Sequence, residues 1–206
     1  RVFGRSSYDY FGYSVSSAGD MNGDGFDDII IGAYYANSPG RSSAGNAFVI
    51  FGHNSTTSFI DIDLYHTTLT SAIGFQIFGG AALSYTGSTV AGALDLNNDG
   101  YSDVAVGSGA TIVAYIVFGH NSTVPFSAID LADLSNGAQS WGFRITGIPV
   151  GSQFHGQLYL NRAGDINADG IDDLIIGMSR FSYAGRAASG ATYVFFGHCA
   201  AAQYNF

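Results

Sequence analysis

The chain has 206 residues, a formal net charge of −9, 47% hydrophobic and 15% aromatic residues, and 29 Gly, enough for one large all-β domain or for part of something bigger. All seven cations are Arg and all sixteen acids are Asp. The helix formers Lys and Glu are therefore missing, and no basic stripe exists to track nucleic-acid phosphates. No apolar run reaches membrane-spanning length, and the opening at Arg1, without initiator Met or leader, reads as a processed product or a fragment.

In chain order, "RVFG" (1–4) reads as the tail of an outer strand. "FGYSVSSAG" (11–19) reads as a strand leading into an Asp-rich loop, and "DIIIGA" (28–33) as the strand leaving it, apolar throughout and suited to burial on both faces. "NAFVIFG" (46–52) is a third strand and "GFQIFG" (74–79) a fourth. The order then recurs. "QIFG" (76–79) and "RITG" (144–147) match "RVFG". "AYIVFGHNST" (114–123) and "TYVFFGHCAA" (192–201) match "AFVIFGHNST" (47–56). Short strands punctuated by Gly, Ser and Asn predict antiparallel meanders. A four-stranded meander cannot bury both faces alone, so the repeats must stack as propeller blades. We expect an all-β chain of three four-stranded blades, with repeats at 1–75, 76–143 and 144–206, the last cut short. Three blades are too few to close a ring, so the chain is expected to be a segment of a larger propeller or to assemble with copies of itself.

The loops align as D-x-N-x-D-G-x-x-D. The first offers Asp20, Asn22, Asp24, the Phe26 carbonyl and Asp28. The second offers Asp95, Asn97, Asp99, the Tyr101 carbonyl and Asp103. The third offers Asp165, Asn167, Asp169, the Ile171 carbonyl and Asp173. Eleven of the sixteen Asp lie in these three stretches, so the acidity is local. Oxygens at positions 1, 3, 5, 7 and 9 suit a hard cation, and Gly25, Gly100 and Gly170 permit the sharp turn. An EF-hand would need Glu at position 12, where this chain has Ile31, Val106 or Ile176. The expectation is three Ca²⁺ sites.

These motifs, "FG…GDMNGDGFDDIIIGA…GNAFVIFG", resemble the FG-GAP repeat of the integrin α-subunit amino-terminal β-propeller over nearly the whole chain. The Phe-Gly stands at Phe11-Gly12, has become Thr86-Gly87, and is displaced to Phe154-His155-Gly156. The Gly-Ala-Pro element survives as Gly32-Ala33-Tyr34, Gly107-Ser108 and Gly177-Met178. The resemblance implies a seven-bladed propeller with calcium between first and second strands, and extracellular adhesion or recognition.

No nucleophile–base–acid set and no phosphate loop is legible, so no catalysis is expected in this stretch. His53, His120 and His198 share one repeat position and read as turn structure. His66 and His155 read as surface residues. Asp27 and Asp172 read as solvated loop acids. Two sequons, at Asn54 and Asn121, predict glycosylation in a secreted protein. Cys199 has no internal partner; a disulfide to another segment or molecule and a harmless thiol both stand. The connections at 34–45 and 179–190 combine aromatics with Arg. We expect Tyr34, Tyr35, Arg41, Arg180, Tyr183 and Arg186 to meet a protein or glycan partner, with ordinary polar loops as the alternative. Besides an adhesion, recognition or assembly module, two readings stay open: an accessory propeller of a secreted hydrolase or lipase, and a structural repeat of an extracellular filament.

Overall fold

The structure is a computed structural model and describes residues 1–54, 61–148 and 158–198. The strands are β1 (Val2–Phe3), β2 (Phe11–Gly19), β3 (Asp28–Ala33), β4 (Asn46–Ile50), β5 (Ile62–Asp63), β6 (Gly74–Phe78) and β7 (Thr86–Leu94). They continue as β8 (Asp103–Ser108), β9 (Val113–Val117), β10 (Ile129–Asp130), β11 (Gly142–Ile145), β12 (Leu158–Gly164), β13 (Asp173–Met178) and β14 (Ala191–Phe195). One 3₁₀ turn, Leu131–Asn136, follows β10 and is the only helix among the described residues.

Three sheets carry the repeats. The first runs β10-β6-β4-β3-β2, the second β11-β9-β8-β7 and the third β12-β13-β14. The first two sheets show the four-strand antiparallel order expected from the repeats, the first with the short parallel β10 added, and the third shows three antiparallel strands among the described residues. The sheets are offset from the sequence repeats: β6 and β11 straddle the 75/76 and 143/144 boundaries. The molecule is all-β, built of propeller blades.

Alternation of side chains explains why blades stack. On β8, every residue of Asp103–Ser108 is buried. Val104 and Val106 join Ile30, Val49 and Ile77 of the first sheet in one core. Ala105, between them, joins Leu160, Leu174 and Ile176 of the third sheet in another. The middle blade is thus buried on both faces. The outer blades have one face each turned away from it, and there Val15 is 67% and Val194 41% exposed.

The short parallel pairs were not legible as strands. Ile129↔Ile77 and Asp130↔Phe78 attach a segment of the second repeat to the first blade. Val2↔Ile62 and Phe3↔Asp63 reproduce that pairing. Val2–Phe3 therefore stands to β5 as the end of an outer strand, β6, stands to β10, as the sequence alignment of "RVFG" with "QIFG" predicts.

Candidate metal centre and blade joints

Each Asp loop closes on itself in the same way. Asp20 accepts the Asp24 and Gly25 amides on its two carboxylate oxygens at 3.0 and 2.9 Å, and Asp24 accepts the Phe26 amide at 2.9 Å. Asp95 accepts Asp99 and Gly100, both at 3.1 Å, and Asp99 accepts Tyr101 at 2.9 Å. Asp165 accepts Asp169 and Gly170 at 3.0 and 2.8 Å, and Asp169 accepts Ile171 at 2.9 Å. Asn22, Asn97 and Asn167 each donate their amide to the following position-5 Asp. Gly25, Gly100 and Gly170 take φ of +90°, +87° and +87°, a region that penalises any side chain.

Position 9 differs from the rest. Asp28, Asp103 and Asp173 are at most 1% exposed. Asp28 accepts Met21 N–H and Gly52 N–H, both at 2.9 Å. Asp103 accepts Leu96 at 2.9 Å and Gly119 at 3.0 Å; Asp173 accepts Ile166 at 2.7 Å and Gly197 at 3.0 Å. This carboxylate ties the loop to the Gly that ends the third strand of its own blade. Gly is required there because a Cβ on Gly52, Gly119 or Gly197 would collide with the carbonyl of Asp27, Ser102 or Asp172. Burial pushes the carboxyl of Asp28 up to about 6, and that of Asp103 to about 8, against the pull of their amide donors. Neighbouring loop carboxylates raise both further.

The loops also join blades. Ser102, His120 and Ser122 N–H donate to the carbonyls of Asp20, Met21 and Asn22 at 3.1, 3.0 and 2.8 Å. His198 N–H repeats the His120 bond one blade on, reaching Leu96 at 2.9 Å. His120 and His198 are thus joint residues through their backbones, and the His120 ring stacks on Phe126 at 3.8 Å. Asp172 is not a solvated acid. Arg162 reaches it at 2.8 Å and Asp95 N–H at 3.1 Å, so it bridges to the preceding loop.

Among the described residues, no three acidic, His or Cys side chains gather into a ready-made metal cage. Donor chemistry is what fits a hard divalent ion. The position 1 and 5 carboxylates of all three loops make no ion pair among the described residues. Their hydrogen-bond partners are amide N–H groups, and position 9 adds a buried carboxyl group that forms no ion pair among the described residues.

The expected partner residues separate. Tyr34 meets Tyr13 and Tyr10 at ring distances of 4.4 and 5.4 Å, while Tyr35 stacks on Tyr85 at 5.5 Å. Tyr10, Tyr13 and Tyr85 had no linear motif to mark them. Arg41 is drawn into an ion pair with Asp130 at 2.7 Å. Arg186 lies 5.8 Å over the Tyr183 ring in the third sheet, and Arg180 begins that same connection. Asn54 and Asn121 are exposed; Asn121 donates to Tyr101 Oη at 3.3 Å and accepts Thr123 N–H at 2.8 Å. His66 is exposed, 4.0 Å from Asp63. Cys199, Phe154 and His155 lie outside the described residues.

Loop, blade and joint together define the class: a chain of β-propeller blades carrying FG-GAP repeats, the family whose pattern matches residues 11–50 and 86–116. Phosphatidylinositol-glycan-specific phospholipase D of Bos taurus is 30% identical over 197 residues, covering 92% of this chain and 21% of that protein. Integrin alpha-PS5 of Drosophila melanogaster is 31% identical over 174 residues, 82% of this chain and 15% of its own. Integrin alpha pat-2 of Caenorhabditis briggsae is 34% identical over 107 residues, 52% of this chain and 8% of its own. The chain spans about a fifth of the length of the phospholipase D relatives it matches.

Proposed function

We propose that the chain is a calcium-binding, non-catalytic propeller module of an extracellular protein, serving recognition, adhesion or assembly. The observation that carries this reading is the repetition of one Asp loop in three blades, each with position 1 and 5 carboxylates that pair with no Arg among the described residues. In the first loop, Asp20, Asn22, Asp24, the Phe26 carbonyl and Asp28 would hold the ion; the second and third loops offer the same donors. The ion supplies positive charge to a cluster that otherwise repels itself. The first two loops also hydrogen-bond the next blade, so whatever orders either loop orders a joint. Exposed sequon residues Asn54 and Asn121 support an extracellular setting, with glycans at both. The aromatic connections around Tyr34 and Tyr35 are the surface we assign to a protein or glycan partner.

A metal-stripped sample titrated with calcium tests this. We expect saturable binding with Kd on the order of 10⁻⁴ to 10⁻³ M, as in extracellular modules. Absence of binding at millimolar calcium would refute it. A second reading has its own support: the phospholipase D relatives match over more than nine-tenths of this chain. The module would then accompany a secreted hydrolase and itself stay non-catalytic. A catalytic motif set in the reading frame flanking residues 1–206 would favour this reading over the first.

A further inference from the structure

The joint between the first two blades carries an ion pair whose halves recur, unpaired with each other, at the two ends of the blade row. Arg41 sits in the β3–β4 connection. Its Nε donates to the Gly79 carbonyl at 3.0 Å, and its Nη2 donates to both oxygens of Asp130 at 2.7 Å. Asp130 also accepts the Ala132 amide at 3.0 Å, which fixes its carboxylate.

Asp63 copies Asp130. Ile62-Asp63-Leu64 matches Ile129-Asp130-Leu131, β5 pairs with β1 as β10 pairs with β6, and Asp63 accepts the Tyr65 amide at 3.0 Å. No Arg pairs with it among the described residues; the side chain beside it is the His66 imidazole, at 4.0 Å. Arg186 copies Arg41. Tyr183 and Arg186 exchange amide–carbonyl bonds at 3.3 and 3.0 Å, as Ser38 and Arg41 do at 3.0 and 2.9 Å. Ser43 and Ala188, two residues on, share the left-handed conformation at φ +46° and +49°. Arg186 is exposed and takes part in no ion pair among the described residues.

We propose that Asp63 and Arg186 are the open halves of a blade-to-blade latch whose closed form is Arg41–Asp130. Each accepts the complementary half of another blade of this design. The closed copy defines the chemistry of the occupant. Arg186 takes an Asp carboxylate opening a short parallel strand. The carbonyls of Ala187, Ala188 and Ser189 take amide N–H groups. Their counterparts Ser42, Ser43 and Ala44 accept Leu83, Tyr85 and Thr86 at 3.0, 3.3 and 2.9 Å. A groove of about 390 Å³, lined by Phe181, Tyr183, Arg186 and Tyr193 among others, runs along this edge. At the other end the occupant brings an Arg to Asp63. Apolar faces accompany both halves. Val15 and Ile29 are 67% and 43% exposed, whereas their second-blade counterparts Val90 and Val104 are 7% and 0% exposed.

The latch rests on the blade fold and not on the cation, so the test is run at saturating calcium and calcium binding is measured separately. One chain carries both halves, so a second copy serves as the other blade. Sedimentation should show concentration-dependent head-to-tail association. Arg186→Asp or Asp63→Arg should each weaken it about tenfold, and the double charge swap should restore it. Arg186 is exposed, so Arg186→Asp should keep the parent melting temperature, while Asp63→Arg, at a half-buried position bonded to the Tyr65 amide, should lose only a little stability, and both melts report intact folding. A chain that stays monomeric up to millimolar concentration overturns the latch, as does association indifferent to both reversals. So does a double swap no better than the single changes. Calcium binding without association overturns the latch alone; charge-dependent association without calcium binding upholds it and overturns the calcium reading.

Discussion

At the scale of the residue, the Asp loops divide labour between positions that look alike in sequence. Asp103 holds two backbone amides inside the protein, whereas Asp99 accepts the Asn97 side-chain amide and the Tyr101 N–H at an exposed turn. Asp103→Ala leaves the Leu96 and Gly119 N–H groups without acceptors in a buried site. It should cost about 2–4 kcal/mol with or without calcium. Asp99→Ala should change metal-free stability by less than about 1 kcal/mol and remove most of the calcium increment of that loop. Denaturant titrations of both variants, metal-stripped and calcium-loaded, separate the roles; equal behaviour of the two would contradict the division. The same carboxylates set a pH dependence. Native Asp28 and Asp103 hold protons up to about pH 6 and 8 without a cation, above the ordinary 3.8. The metal-free native state therefore binds more protons than the unfolded chain between about pH 4 and 8, and loses stability as pH rises through that window. Calcium requires the charged form, so its stabilising increment should grow from pH 5 to pH 8. Melting curves of stripped and loaded protein at both pH values check the sign, and an increment that shrinks with pH would contradict it.

At the scale of the element, the joints between blades carry the consequences. Arg41–Asp130 is a half-buried, two-pronged pair that also grips the Gly79 carbonyl. Arg41→Ala should cost about 1–2 kcal/mol and lower the melting temperature by roughly 2–8 °C, measured by calorimetry. An unchanged melting temperature would show that the pair contributes nothing in the folded state. The blade strands were legible because alternation and Gly punctuation are local signals: "FGYSVSSAG" and "DIIIGA" fold with the bounds read from them. The joints were not. β5 and β10 are two residues each and exist only against the end of a distant outer strand, about 50 to 60 residues away in sequence. Asp172 reads as a loop acid until Arg162 and Asp95 N–H are seen beside it. The Tyr10–Tyr13–Tyr34–Tyr35–Tyr85 cluster draws on two repeats, so no linear window contains it. The loop ligand set was legible as chemistry, while the tie from position 9 to Gly52, Gly119 and Gly197 needed the third dimension.

At the scale of the whole molecule, three blades form a row in which the middle one is covered on both faces. Two cores, one centred on Val104 and Val106 and the other on Ala105 and Ile116, run through it. The first two Asp loops each sit where a blade meets its successor, hydrogen-bonded to both. Metal removal should therefore loosen joints before it dissolves sheets. Hydrogen exchange in chelator should rise first at the His120 and Ser122 amides and later in β8; the reverse order would place the cation's effect elsewhere. The central claim is that the three Asp loops are built to hold a doubly charged ion. An anomalous-difference map from crystals grown in millimolar calcium tests it most directly. We predict three peaks, one within each of the loops 20–28, 95–103 and 165–173. A map in which the loops remain closed on their own amides with no peak would contradict the account.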